Sequence, residues 1–150
     1  METVEPILAA HPFFKGLEPR HLQLVAACAT KVQFKPGEFL CRDTEEARQF
    51  YVIYHGRVSV EIFSQRRGPV IVQTIGDDGV LGWLWFLKPY HWHLDARAME
   101  VTRAIALDVR GLLKQCEQNH DLGYELMKRY AHNLAGQFRL TKLQLMDMYG

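Results

Sequence analysis

A chain of 150 residues, 48% of them hydrophobic, is long enough to bury one sizeable core and leaves little room for a second domain. Eighteen Lys and Arg stand against seventeen Asp and Glu, so no global field recruits nucleic acid or an anionic membrane, and any bound anion must be held by local groups. The start, Met1 to Pro6, lacks the basic and apolar stretches of a secretory leader, and no later apolar run is long enough to cross a bilayer, which makes a cytoplasmic location the default expectation. Cys28, Cys41 and Cys116 are widely spaced and odd in number, which argues against an internal disulfide framework and reads as buried reduced thiols.

An entry segment closes with His11-Pro12-Phe13-Phe14-Lys15-Gly16-Leu17. Leu22, Val25, Ala26 and Ala29 then recur at helical spacing and predict one amphipathic helix from Glu18 to Ala29, with Pro19 suited to its first turn. Pro36-Gly37 marks a tight turn between two short strands and opens an all-β region. The run Phe50 to Ile62 is β-rich, interrupted at His55-Gly56, and alternates strictly at Val58, Val60 and Ile62. Arg66-Arg67-Gly68-Pro69 reads as a hairpin connection to Val70–Ile75, and Val101 to Leu107 as a last strand. Asp108 is the natural N-cap of a helix carrying Leu112, Leu113 and Cys116. Asn119-His120-Asp121 then turns the chain into a final helix.

In that helix Tyr124, Ala131, Phe138 and Leu145 take one seam position of a heptad and Met127, Leu134, Thr141 and Met148 the other. This pattern predicts a parallel two-helix contact between two copies of the chain. Thr141, the polar member, suits a register-setting position.

The order and spacing of Phe13-Phe14-x-Gly16-Leu17, Lys35-Pro36-Gly37-Glu38, Tyr51-Val52-Ile53-x-x-Gly56-x-Val58-x-Val60 and Gly76-x-x-Gly79-x-x-Gly82 resemble the sensory domain of Crp/Fnr regulators along almost the whole chain. The resemblance implies an α+β, mainly β fold: a double-stranded β-helix of the jelly-roll or cupin-like kind, flanked by N-terminal helices and a long C-terminal dimerisation helix. It divides a single domain, 1–150, into a helical segment 1–30, a β-roll 31–107 and terminal helices 108–150.

In members that bind cyclic nucleotides, the phosphate-binding cassette reads approximately F-G-E-x-A-L, followed after a short loop by an Arg and a small residue. Backbone N–H groups and the Arg hold the cyclic phosphate, and the Glu accepts from the ribose hydroxyl. Here Leu81-Gly82-Trp83-Leu84 stands in the F-G-E-x place, and Trp92 or His93 falls where the Arg belongs. Neither Trp83 nor Trp92 replaces a charged group, since indole offers one N–H and no carboxylate. Binding of cAMP in the usual pose is therefore disfavoured. Arg97 lies close in sequence and its charge is permanent, but on a strand it shares a face with Asp95, and a local Asp95–Arg97 pair is the expected use. Thr141 also lies where family members place a residue near the nucleotide base.

Trp83, Trp85, Phe86, Tyr90, His91, Trp92 and His93 crowd eleven positions. They either fill the cassette, line a pocket for an apolar or planar ligand, or serve an altered nucleotide mode. The His91-x-His93 pair lacks the further ligands of a metal site, and haem ligation is a minor reading. No nucleophile–base spacing, Walker loop or zinc-protease motif supports an enzyme. A basic DNA-reading element does not follow the last helix, so no nucleic-acid partner is expected. The leading expectation is a stand-alone dimeric sensor that signals through its last helix to a partner protein. The alternatives are a ligand-free dimeric adaptor with an aromatic-filled cassette and a sensor of haem or of an apolar aromatic ligand.

Overall fold

The computed structural model describes residues 4–82, 92 and 94–149. Two helices, α1 (Val4–Ala10) and α2 (Pro19–Ala26), precede eight strands: β1 (Ala29–Phe34), β2 (Phe39–Cys41), β3 (Gln49–His55), β4 (Val58–Ser64), β5 (Gly68–Ile75), β6 (Val80–Leu81), β7 (Asp95–Ala98) and β8 (Thr102–Asp108). Helices α3 (Val109–Gln118) and α4 (His120–Tyr149) follow. The strands form two four-stranded antiparallel sheets, in the orders β1-β8-β3-β6 and β2-β7-β4-β5. Consecutive strands alternate between sheets at several points, which is the winding of a jelly-roll.

The run Phe50-Tyr51-Val52-Ile53 is apolar without interruption because β3 is covered on both faces. Tyr51 and Ile53 point between the sheets, onto Val58, Val60, Ala96, Ala98, Ala104 and Ala106. Phe50 and Val52 point the other way, onto a layer formed by Leu8, Phe14, Val25, Leu112, Leu122 and Leu126 of the helical segments. The alanines on β7 and β8 keep the inner space narrow.

Helix α2 is shorter than its periodicity predicts. Ala29 does not end the helix; it begins β1 opposite Leu107, and Asp108 donates its N–H to the Cys28 carbonyl at 2.9 Å. Pairing with β8 takes over the last predicted turn, a tertiary override of local propensity. The entry segment holds a short helix, α1, that its sequence did not announce. The Gly68-Pro69 pair belongs to β5 rather than to the connection, which is confined to Gln65, Arg66 and Arg67.

Gly56 turns β3 into β4 at φ +117°, and a Cβ there would sit 2.6 Å from the Thr102 backbone. Its N–H is caught by Asp77 at 2.8 Å. Asp108 caps α3 as its position predicts, accepting from the Gly111 N–H at 3.0 Å. Asn119 caps α4 in the same way through Leu122, at 3.2 Å. No helix among the described residues is long and apolar enough to cross a membrane.

Candidate functional site

The cassette begins where β6 ends. Gly82 adopts φ +124°, and a Cβ at this position would lie 2.6 Å from the Phe50 Cβ and 3.4 Å from the tip of the Trp92 ring. Only glycine allows this approach. Trp83, Leu84, His91 and His93 lie outside the described residues, so the readings placed on them concern parts of the chain that the structure does not describe.

Trp92 is anchored by its backbone to the loop between β2 and β3, donating to Glu45 C=O at 2.8 Å and accepting from the Thr44 N–H at 2.8 Å. Its side chain joins the inner cluster with Leu40, Tyr51 and Leu81, and the residue is 9% exposed. A cavity of about 350 Å³ lies against it, walled by Tyr51, Gln49, Glu45, Glu46 and Arg48. Arg48 and Arg110 both bind Glu46, at 3.1 and 2.9 Å, and Glu45 accepts the Arg42 N–H at 2.7 Å. Burial, with Cys41 and Glu45 nearby, pushes the Tyr51 phenol up to about 12, so it stays neutral and donates toward the Leu40 carbonyl or the Gln49 amide oxygen, each at 3.3 Å. This wall carries two carboxylates and one arginine. It is poor surroundings for a phosphate.

Arg97 is engaged elsewhere, and its partner differs from the one its sequence neighbours suggest. Its Nη2 and Nε donate to the two oxygens of Glu61 at 2.7 and 3.2 Å, and the Ser59 hydroxyl donates to the same carboxylate at 2.7 Å. Asp95 instead faces Arg42, at 3.5 Å, and accepts the Asp43 N–H at 2.8 Å. The expected Asp95–Arg97 pair is therefore replaced. In the β4–β7 register Arg97 stands opposite Ser59 and diagonal to Glu61, and the Glu61 carboxylate, 4% exposed against 22% for Asp95, competes better for the guanidinium. The guanidinium also lies over the Phe39 ring at 5.2 Å. Sequence reading passed over Glu61, because alternation with Val58 and Val60 places it on what looks like a solvent face.

Residues 31–119 match the family model for the cyclic nucleotide-binding domain. The chain belongs to the cyclic nucleotide-binding domain family. A putative cyclic nucleotide-binding protein from Geobacter metallireducens shares 22% identity at TM-score 0.79, over 92% of this chain and 99% of that one. The sensor domain of the transcriptional regulator DNR from Pseudomonas aeruginosa shares 20% at TM-score 0.72, over 90% and 91%. A cyclic nucleotide-binding domain from Methylobacillus flagellatus shares 14% at TM-score 0.82, over 97% and 82%. At these identities the likeness is one of fold. No curated protein matches the chain.

The remaining predicted positions of this cyclic nucleotide-binding domain lie on α4. Leu122, Leu126 and Tyr130 bury one face against the helical layer. Tyr124, Met127, Ala131, Leu134, Phe138, Leu145 and Met148 are exposed in the single chain, as is Thr141. Met127, Ala131, Phe138 and Leu145 sit roughly 100–140° around the helix from the buried stripe, whereas Thr141 and Met148 lie near the azimuth of Tyr130, past the last buried turn. Thr141 donates its hydroxyl to its own helix, to Gln137 C=O at 2.9 Å. Gly82 and Trp92 pack in the roll, and Thr141 stands exposed on α4. The hairpin β4–β5 also outruns its neighbour β7, which leaves Ile62, Phe63 and Ile71 exposed although Ile62 continues the inward alternation of Val58 and Val60.

Proposed function

We propose that the chain is a dimeric regulatory module that transmits a change through α4 to a partner protein and does not take cAMP or cGMP in the family's usual pose. The observation that carries this reading is the burial of Trp92 in the inner cluster, at one of the two positions, with His93, where the family resemblance calls for the phosphate-gripping arginine. An indole offers one N–H and no charge, so a cyclic phosphate entering there loses its hydration without a counter-ion. Arg97 does not substitute, because leaving Glu61 would abandon a buried carboxylate. Dimerisation is supported by the exposed apolar residues of α4, among them Met127, Leu134, Phe138 and Leu145, which the other described residues leave uncovered.

A regulatory role fits the company the fold keeps, since DNR is a transcriptional regulator. Signalling through α4 is supported by its attachment: Arg129 joins Glu125 on its own helix to the Lys15 carbonyl of the entry turn. A shift of that turn tilts the helix and changes dimer geometry.

Trp92 packing favours a second reading as well, a dimeric adaptor whose cassette is filled by its own side chains. Calorimetric titration with cAMP and cGMP tests the first claim, with no stoichiometric binding expected at micromolar ligand. Tight binding abolished by Trp92→Ala would overturn it. Intrinsic tryptophan fluorescence separates sensor from adaptor, because a filled cassette leaves emission unchanged across candidate ligands.

A further inference from the structure

A second cavity, of about 490 Å³, lies outside the roll where the entry turn, the segment before β6 and α4 meet. Its volume is within the range of small-molecule sites. We propose that it binds a small organic oxyanion, a carboxylate or phosphate monoester carried on a compact apolar body.

Four observations point to that chemistry. Three permanent cations line the cavity, Lys15, Lys128 and Arg129, against the carboxylates Asp78 and Glu125. Glu125 is paired with Arg129 and, at 3.6 Å, with Lys128, so the charged side chains of the cavity leave one net positive charge for an entering anion. Asn133 lines the same cavity, and its Nδ2 is buried with no acceptor among the described residues. A buried amide donor without a partner costs about 1–3 kcal/mol, and a ligand oxygen relieves it once the Asn133 side chain turns toward the cavity. Phe13, Pro12 and Val80 supply an apolar wall that a bare inorganic ion does not use.

The position gives the site leverage. Ile53 C=O receives both the His11 imidazole N–H, at 3.0 Å, and the Asp78 N–H, at 3.0 Å, and so ties the entry segment to the turn before β6. Arg129 ties the same entry segment to α4 through Lys15 C=O at 3.2 Å. A ligand seated between Lys15 and Asn133 bridges these two attachments. Binding here does not depend on the reading of the roll or of the dimer.

Calorimetric titration of the full chain with phenyl phosphate, benzoate and inorganic phosphate tests the site. Phenyl phosphate or benzoate is expected to saturate at one per chain, with inorganic phosphate at least about tenfold weaker. Lys15→Glu and Asn133→Asp should each weaken the organic anion by about tenfold or more, with circular dichroism of the free protein unchanged. If Asn133→Asp does not fold, Lys15→Glu alone carries the test, because Lys15 is exposed at the rim. Absence of saturation at 10 mM (about the weakest binding worth calling a site), equal affinity for inorganic phosphate, or affinity unaffected by Lys15→Glu overturns the proposal.

Discussion

Arg97 grips Glu61 across β7 and β4 through two guanidinium nitrogens, at 2.7 and 3.2 Å, and so commits its permanent charge, near the end of the cassette, to a carboxylate of the roll itself. The Glu61 side chain is 4% exposed and that of Arg97 41%.

Removing the arginine should therefore hurt more than removing both groups. Arg97→Met leaves a buried carboxylate and is expected to cost about 2–3 kcal/mol, below the roughly 3–5 kcal/mol of fully buried pairs because water partly reaches Arg97. The double change Arg97→Met with Glu61→Met should recover most of that loss in urea unfolding. A double variant as unstable as the single one would show that the pair itself, rather than the stranded charge, matters.

Gly82 and Trp92 form a packed contact at the mouth of the cassette. Gly82→Ala meets both a left-handed backbone and the Phe50 side chain, and should lower stability by about 2–4 kcal/mol. The accompanying displacement of the Trp92 ring should appear as a red shift in tryptophan emission. Unchanged stability and emission together would mean that Trp92 does not seal this end of the roll.

His11 gives the fold an acid-side sensitivity. Burial lowers its pKa below the ordinary 6.5. Its geometry agrees: Nδ1 accepts the Phe13 N–H at 3.1 Å, so the single ring proton is the one Nε2 gives to Ile53 C=O. Because the folded pKa is below the unfolded one, the unfolded chain takes up the proton first as pH falls. The stabilisation is complete above about pH 6.5 and is lost as pH drops from there toward the folded value, at up to about 1.4 kcal/mol per pH unit. Thermal midpoints between pH 7.5 and 5 should fall less steeply in His11→Gln than in the parent protein. Parallel slopes would remove His11 from the account.

The second face of α4 predicts an oligomer and a way to break it. Leu134→Asp combined with Phe138→Asp replaces two exposed seam residues and should shift sedimentation from dimer to monomer. Far-ultraviolet dichroism should persist, since Leu122, Leu126 and Tyr130 hold the core side of the helix. A parent protein that sediments as a monomer at about 100 μM would sink the dimer reading.

The thiols should be inert at neutral pH. Desolvation raises all three, Cys116 to about 11 and Cys41 further still. Labelling with a thiol reagent at pH 7.5 should be at least about tenfold slower in the native protein than in urea. Equal rates would mean that the Cys41 site opens readily.

Much of the architecture is written locally. Pro36-Gly37, Gly56 and the capping carboxylate of Asp108 act within a few residues of themselves, and their signals survive into the fold. The uninterrupted apolar run of β3 and the heptad of α4 are likewise periodic features that a single chain displays. Strand partnership is not local. It decided that Ala29 extends into β1, that Arg97 meets Glu61 rather than Asp95, and that Ile62 is left outside on a hairpin without a neighbour. The same holds for His11, whose partner Ile53 is 42 residues away, and for Trp92, whose buried place follows from two backbone bonds to the loop at Thr44 and Glu45. Periodicity determines which face of an element is apolar; only the packed register of distant segments determines what that face, or a charge beside it, meets.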